Sequence, residues 1–181
     1  MCIRDRGESH FLEQQICDGL VDVGLFPTPI YSQDLESYPV LDEQILLAIS
    51  VENKKAIAIA DSLMTGDGIR EIAPFGAFPF ILLREGLKLR TLVNRLCQAE
   101  CFVPKAVIGS ETLDSCRSLV EDDYGITFLP STLNSKGDDD KVKFYPLASK
   151  LCFRQLVLVA RSDRAKRFHL SEVAHIMQQF L

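Results

Sequence analysis

Apolar residues in this chain occur either as short unbroken runs or as longer stretches at helical spacing, and the two kinds alternate. Phe80 to Leu83, Ala106 to Ile108, Ile126 to Leu129 and Leu156 to Ala160 are such runs, Gln44 to Val51 is nearly continuous, and Val21 to Phe26 reads as a strand although Asp22 interrupts it. A short run without polar alternation predicts a strand covered on both faces. Between the runs lie helical patterns. From Ser9 to Cys17, Leu12 and Ile16 share a face, with Ser9 as N-cap and Gly19 as the stop. Lys54 to Met64 reads as a short helix broken by Thr65-Gly66-Asp67-Gly68. Leu89, Leu92, Val93 and Leu96 mark an amphipathic helix over Leu87 to Cys101. Leu113, Cys116, Leu119 and Val120 mark another, opening at Gly109-Ser110, and Ser171 to Leu181 a last one with Val173, Ala174, Met177 and Phe180 inward. Pro27-Thr28-Pro29 and Asp122-Asp123-Tyr124-Gly125 are turns, and Asn134 to Lys143 is a polar excursion. The alternation predicts an α/β fold with mainly parallel sheets and right-handed crossovers.

Composition removes several function classes. A net charge of −5 and a pI near 5.2, without a basic run, argue against a DNA-binding or membrane-binding surface on these residues. No stretch approaches the roughly 18 apolar residues of a membrane span, and MCIRDRGESH shows no apolar signal core. The six cysteines, at positions 2, 17, 97, 101, 116 and 152, contain no C-x-x-C. Cys97 and Cys101 fall on one face of a predicted helix, open to metal or oxidation but read as buried thiols, since no histidine or further cysteine pair accompanies them. His10, His169 and His175 are scattered, so no metal site is expected. Catalytic signatures are absent: no G-x-S-x-G, no H-E-x-x-H and no P-loop. Gly66 to Glu71 imitates half of a dinucleotide fingerprint but follows a helix-like run, which makes it a turn. Asp138 to Asp140, between Lys136 and Lys141, reads as a solvated loop before a Ca²⁺ site. No reaction and no cofactor are expected.

The most specific stretch is GSETLDSCRSLVEDDYGITFLPSTL, residues 109–133, a strand-end, helix, sharp turn and apolar strand closing on Leu129-Pro130. It resembles the effector-binding domain of LysR-type transcriptional regulators, where an "aGlGiaxLP" segment follows a strand-loop-helix facing the ligand cleft. Three further segments match in order. Cys17 to Leu25 (CDGLVDVGL) is similar to the family's "G-x-lDlai", Pro79 to Gly86 (PFILLREG) to its "pfIl" segment, and Leu156 to Arg161 (LVLVAR) to its late returning strand. The resemblance runs from about Gly7 to Leu181. One departure stands out: Asp123 occupies the turn position where the family has a first glycine. A left-handed residue is needed there, and aspartate tolerates it less freely than glycine.

The resemblance implies a two-lobed fold like that of type 2 periplasmic binding proteins. Residues 7–42 with 148–181 would form an incomplete lobe I, and residues 43–147 lobe II. It further implies a small-molecule effector bound between the lobes, assembly into a homodimer or homotetramer, a cytoplasmic protein, and DNA contact only through an N-terminal winged helix-turn-helix. In the family that domain, and an opening strand, helix and strand of lobe I, precede the position matched by Gly7, so the resemblance implies that this sequence is truncated. Residues 1–6 are expected to be an artefactual prefix; the alternative is a natural start with a degenerate edge strand. A solute-binding receptor of a transporter shares the implied fold and is the second functional reading.

Ligand contacts are expected where strand carboxyl ends meet helix N-termini, since unpaired N–H groups there carry partial positive charge. The candidates are Arg84, Glu85, Gly86, Leu87 and Lys88 after one strand, Ser110, Glu111 and Thr112 after the next, and Phe26 with Pro27 after the first. Ser9 opens the first helix, and Glu8 stands where the family often has a hydroxyl. A carboxylate at that point disfavours anionic effectors unless Arg84 or Lys88 offsets it. Each candidate has a purely structural reading beside it. Ser9 and Ser110 serve equally well as helix caps, Arg84 and Lys88 as solvated charges, and Phe26 as core.

Overall fold

The computed structural model describes residues 9–134 and 141–180. In chain order the elements are α1 (Ser9–Cys17), β1 (Val23–Pro27), β2 (Leu35–Ser50), α2 (Lys54–Leu63), β3 (Met64–Thr65), β4 (Gly68–Ile69), β5 (Pro79–Leu83), α3 (Lys88–Ala99), β6 (Lys105–Ser110), α4 (Leu113–Glu121), β7 (Thr127–Pro130), β8 (Val142–Tyr145), β9 (Phe153–Arg161), α5 (Ser162–Ala165) and α6 (Leu170–Gln178). The chain divides into two compact units, residues 1–43 with 154–181, and residues 44–153.

In the first unit β9 lies between β1 and β2. Its apolar run serves two cores because alternate side chains of a strand point to opposite faces. Val157 and Val159 join Ile16 and Phe26 on one side, while Leu158 and Ala160 join Val40, Ala165, Leu170 and Ala174 on the other. The strand Val21 to Phe26 predicted from sequence is displaced to Val23–Pro27. The last helix also differs from expectation. Its inward stripe is Leu170, Ala174 and Met177, which leaves Val173 39% and Phe180 82% exposed. The helix starts one residue earlier than its polar signal suggested, after His169 in the left-handed region at φ 49°, and spacings of four and three from Leu170 select that face.

In the second unit one core joins the second half of β2 to β5, β7, α2, α3 and α4. Phe80 stacks on Phe128 at 5.6 Å between centroids and lies 6.2 Å from Phe102. Every residue of β7 is buried. The turn before β7 holds Asp123 at φ 58°, and Asn53 Nδ2 donates to its carboxylate at 3.0 Å. The left-handed position is thus occupied by aspartate and anchored by a side-chain bond. Gly125 next to it is required by space: a Cβ there would lie 2.6 Å from the Pro79 carbonyl oxygen.

Mainly parallel pairing is not what the structure shows. β1–β9, β2–β7, β2–β8 and β3–β4 are antiparallel. Among the described residues the parallel contacts are β5–β6 and the single bridges Phe80–Ile126 and Ile69–Leu147. An unbroken apolar run reports that both faces of a strand are covered; it carries no information on the direction of the neighbour. β2 also begins at Leu35, well before the apolar run, and its first half, which mixes polar and apolar residues, belongs to the first unit.

Candidate functional site

The parallel pair β5–β6 brings two predicted loops to one place. Leu83 is in register with Ser110, and the Arg84 backbone N–H donates to the Ser110 carbonyl at 2.8 Å. The carboxyl ends of both strands therefore coincide, and the segments Arg84–Lys88 and Ser110–Thr112 leave side by side. Arg84 Nη1 stands 3.8 Å from Glu111 Oε1, both largely exposed. Gly86 adopts φ 92° with no atom within 4 Å of where a Cβ would be, so the residue meets a conformational need of the loop and leaves open space beside it.

The two helices that follow differ at their N-termini. α3 opens after Leu87, which offers no side-chain cap, and its first turn holds no acid but begins with Lys88. α4 is capped by Thr112, whose side chain accepts from the Ser115 N–H at 3.1 Å, and has Asp114 in its first turn. Uncapped amides and cations favour an anion at α3; a satisfied cap and a carboxylate oppose one at α4. The helix expected to open at Gly109-Ser110 starts at Leu113 instead. Pairing with Leu83 draws Ser110 into β6, where it is 8% exposed and its hydroxyl donates to the Thr112 carbonyl and accepts from the Thr112 N–H. Ser110 fastens its own loop, and Thr112 is the cap.

A feature not anticipated from sequence holds the Arg84–Lys88 loop in shape. Arg90 donates from Nη1 to the Leu83 carbonyl at 2.8 Å and from Nε to Asn94 at 2.9 Å, and pairs through Nη2 with Glu85 at 2.7 Å. Asn94 Nδ2 closes the ring on Glu85 at 3.4 Å. The ring fixes Glu85 as part of the scaffold. Arg90 and Asn94 at i and i+4 were a legible signal for a helix-surface pair; the tie back to Glu85 and Leu83 was not. The same side of α3 borders an open groove of about 460 Å³, from Glu85 and Arg90 to Phe102, Val103 and Pro104.

The remaining candidates lie in the first unit. Phe26 is 3% exposed in a core cluster, Pro27 ends β1, Ser9 is the first residue of α1, and Glu8 and the acidic triplet Asp138 to Asp140 lie outside the described residues. Cys97 and Cys101 do not share a helix face. α3 ends at Ala99, and Cys101 is exposed at φ 56° while Cys97 is buried. Burial pushes the Cys97 thiol up to about 12 and Cys152 to about 11; Cys116 is also raised by burial. These thiols stay protonated at neutral pH, and the thiolate is the reactive form. Among the described residues no cluster of three or more His, Cys, Asp or Glu could hold a metal ion, and no helix is long and apolar enough to cross a membrane.

Comparison with known proteins gives one family. The LysR substrate-binding domain model matches residues 5–181. An uncharacterized HTH-type transcriptional regulator, YcgK of Bacillus subtilis (strain 168), is 28% identical over 162 residues, covering 84% of this chain and 49% of the relative. The chain therefore spans about half the length of that curated relative. Among solved structures, the effector-binding domain of a BenM variant superposes with a TM-score of 0.77 at 13% identity, covering 96% of this chain and 79% of that one. A mutant OxyR2 regulatory domain from Vibrio vulnificus gives 0.73 at 19% identity, with 97% and 80% covered. At such identities the structures attest the fold, and the family model, matched over nearly the whole chain, attests the membership: this chain belongs to the LysR substrate-binding domain family.

Proposed function

We propose that this domain binds a small anionic metabolite at the Arg84–Lys88 loop and the first turn of α3, and that binding regulates DNA contact by a winged helix-turn-helix domain of a longer protein. The observation that carries the reading is the asymmetry at the carboxyl ends of β5 and β6. Two helices start there, and the one that is uncapped, free of acids and flanked by Arg84 and Lys88 is α3. A carboxylate there meets helix amides, two cations and a loop held by Arg90. Glu111, 3.8 Å from Arg84, is the competing internal anion that a ligand displaces.

The acidic balance of the chain supports DNA contact through a separate domain, with the regulator acting in the cytoplasm as a homodimer or homotetramer. The domain assigns itself no reaction: binding shifts the population of conformations, and that shift is the output.

Calorimetry with a panel of small mono- and dicarboxylates tests the site. For the ligand that binds, Arg84→Ala is expected to weaken affinity by roughly 1.5–3 kcal/mol, the range of a charge-assisted hydrogen bond. Unchanged affinity in that variant removes Arg84 from the site.

A further inference from the structure

The chain passes from one unit to the other twice, within β2 after Glu43 and within β9 before Arg154. Those two boundary residues are paired: Arg154 Nε donates to Glu43 Oε2 at 2.5 Å, with side chains 11% and 2% exposed. Beside them Gln155 Nε2 donates to Asp42 Oδ1 at 2.9 Å. On the far side of the boundary the ties are longer and uncharged. Gln44 donates from its backbone N–H to Ser131 Oγ and from its side chain to the Leu147 carbonyl, each at 3.3 Å.

A buried ion pair is a poor choice for stability alone. Desolvating two charges consumes most of their attraction, and an apolar pair of similar volume often holds a fold as well or better. What the ion pair adds is a single geometry, since a slip of either strand pulls two buried opposite charges apart. Nearby β2 positions Val40, Ile45 and Leu47 are apolar and buried, so the local pattern would have accommodated another hydrophobe. We propose that Glu43–Arg154 is a clasp that locks β2 against β9 at the two points where the chain leaves the first unit. The two passages then behave as one rigid piece on that side.

Hydrogen exchange by peptide on the whole chain tests this, and needs no effector. In Arg154→Met, amides of residues 39–43 and 154–158 are expected to exchange at least about tenfold faster, while those of β7 change by less than about twofold. Because that variant leaves a buried carboxylate, the double variant Glu43→Leu with Arg154→Met is measured beside it. The clasp predicts that the double variant melts no lower than the wild type, yet still exchanges at least about tenfold faster at both passages. Three results overturn the proposal: acceleration spread evenly over both units, no acceleration at the passages, or an apolar pair that protects them as well as the ion pair does.

Discussion

Among single residues, Thr112 and Ser110 show how neighbouring hydroxyls take different roles. Both are polar, both precede an apolar helix, and either could accept from a helix amide. The strand decides between them: Ser110 is in register with Leu83 and turns its hydroxyl onto the loop, which leaves Thr112 to cap α4. Thr112→Ala should therefore lower stability by about 1 kcal/mol, the usual cost of losing an N-cap, read as a fall in Tm. Ser110→Ala should cost less than Thr112→Ala, because no helix amide loses its acceptor. A larger loss at Ser110 would reverse the assignment. Arg90 makes the same point for charge. All three of its nitrogens have partners in the scaffold, so its role is to hold the loop that carries Arg84 and Lys88.

For the elements, the turn before β7 is the most constrained junction of the second unit. α4 ends, Asp123 takes the left-handed conformation, and Gly125 passes close to Pro79 so that the Ile126 N–H can donate to the Pro79 carbonyl at 2.9 Å. The Ile81 N–H returns a bond to the Ile126 carbonyl at 2.9 Å, which sets β7 beside β5. Gly125→Ala places a methyl within 2.6 Å of backbone that cannot rotate away. The expected cost is about 1–3 kcal/mol, as for an overpacked core, measured by denaturant unfolding. Asp123→Gly should be neutral or mildly stabilising, because it relieves the left-handed strain that the Asn53 bond offsets.

At the scale of the whole molecule, the buried thiols set a pH dependence. Cys97 and Cys152 have folded values near 12 and 11 against an ordinary 9.0, raised chiefly by burial. Tyr145, which donates to Asp61 at 2.8 Å, is likewise raised by burial and by that bond. In the unfolded chain these groups lose their protons first. The folded state then binds more protons than the unfolded state above pH 9, so stability falls as pH rises. The contribution is fully present below about pH 9 and is lost progressively as pH climbs through the folded values. Thermal melts from pH 8 to 11 should show a Tm that holds to about pH 9 and then declines, with the second unit, which holds all three groups, opening first. A flat profile would mean that these side chains are not buried as described.

Local pattern determined most of the elements. Helical spacing in α1, α2, α3 and α4, the apolar runs of β5, β7 and β9, and the turn at Asp123 are properties of neighbouring residues, so they can be read without knowing the fold. The family resemblance rested on the same local segments. The Arg84–Lys88 loop was also legible, because a strand, a glycine and a helix start follow one another there. What sequence could not supply is whatever depends on residues far apart. Strand direction, the face that α6 turns inward, the start of α4, the Arg90–Glu85–Asn94 ring and the Glu43–Arg154 pair each need a partner fixed by tertiary packing. An apolar residue states that it will be buried; only the packed structure states against what, and that choice made Phe26 core, Ser110 a loop fastener and Thr112 a cap.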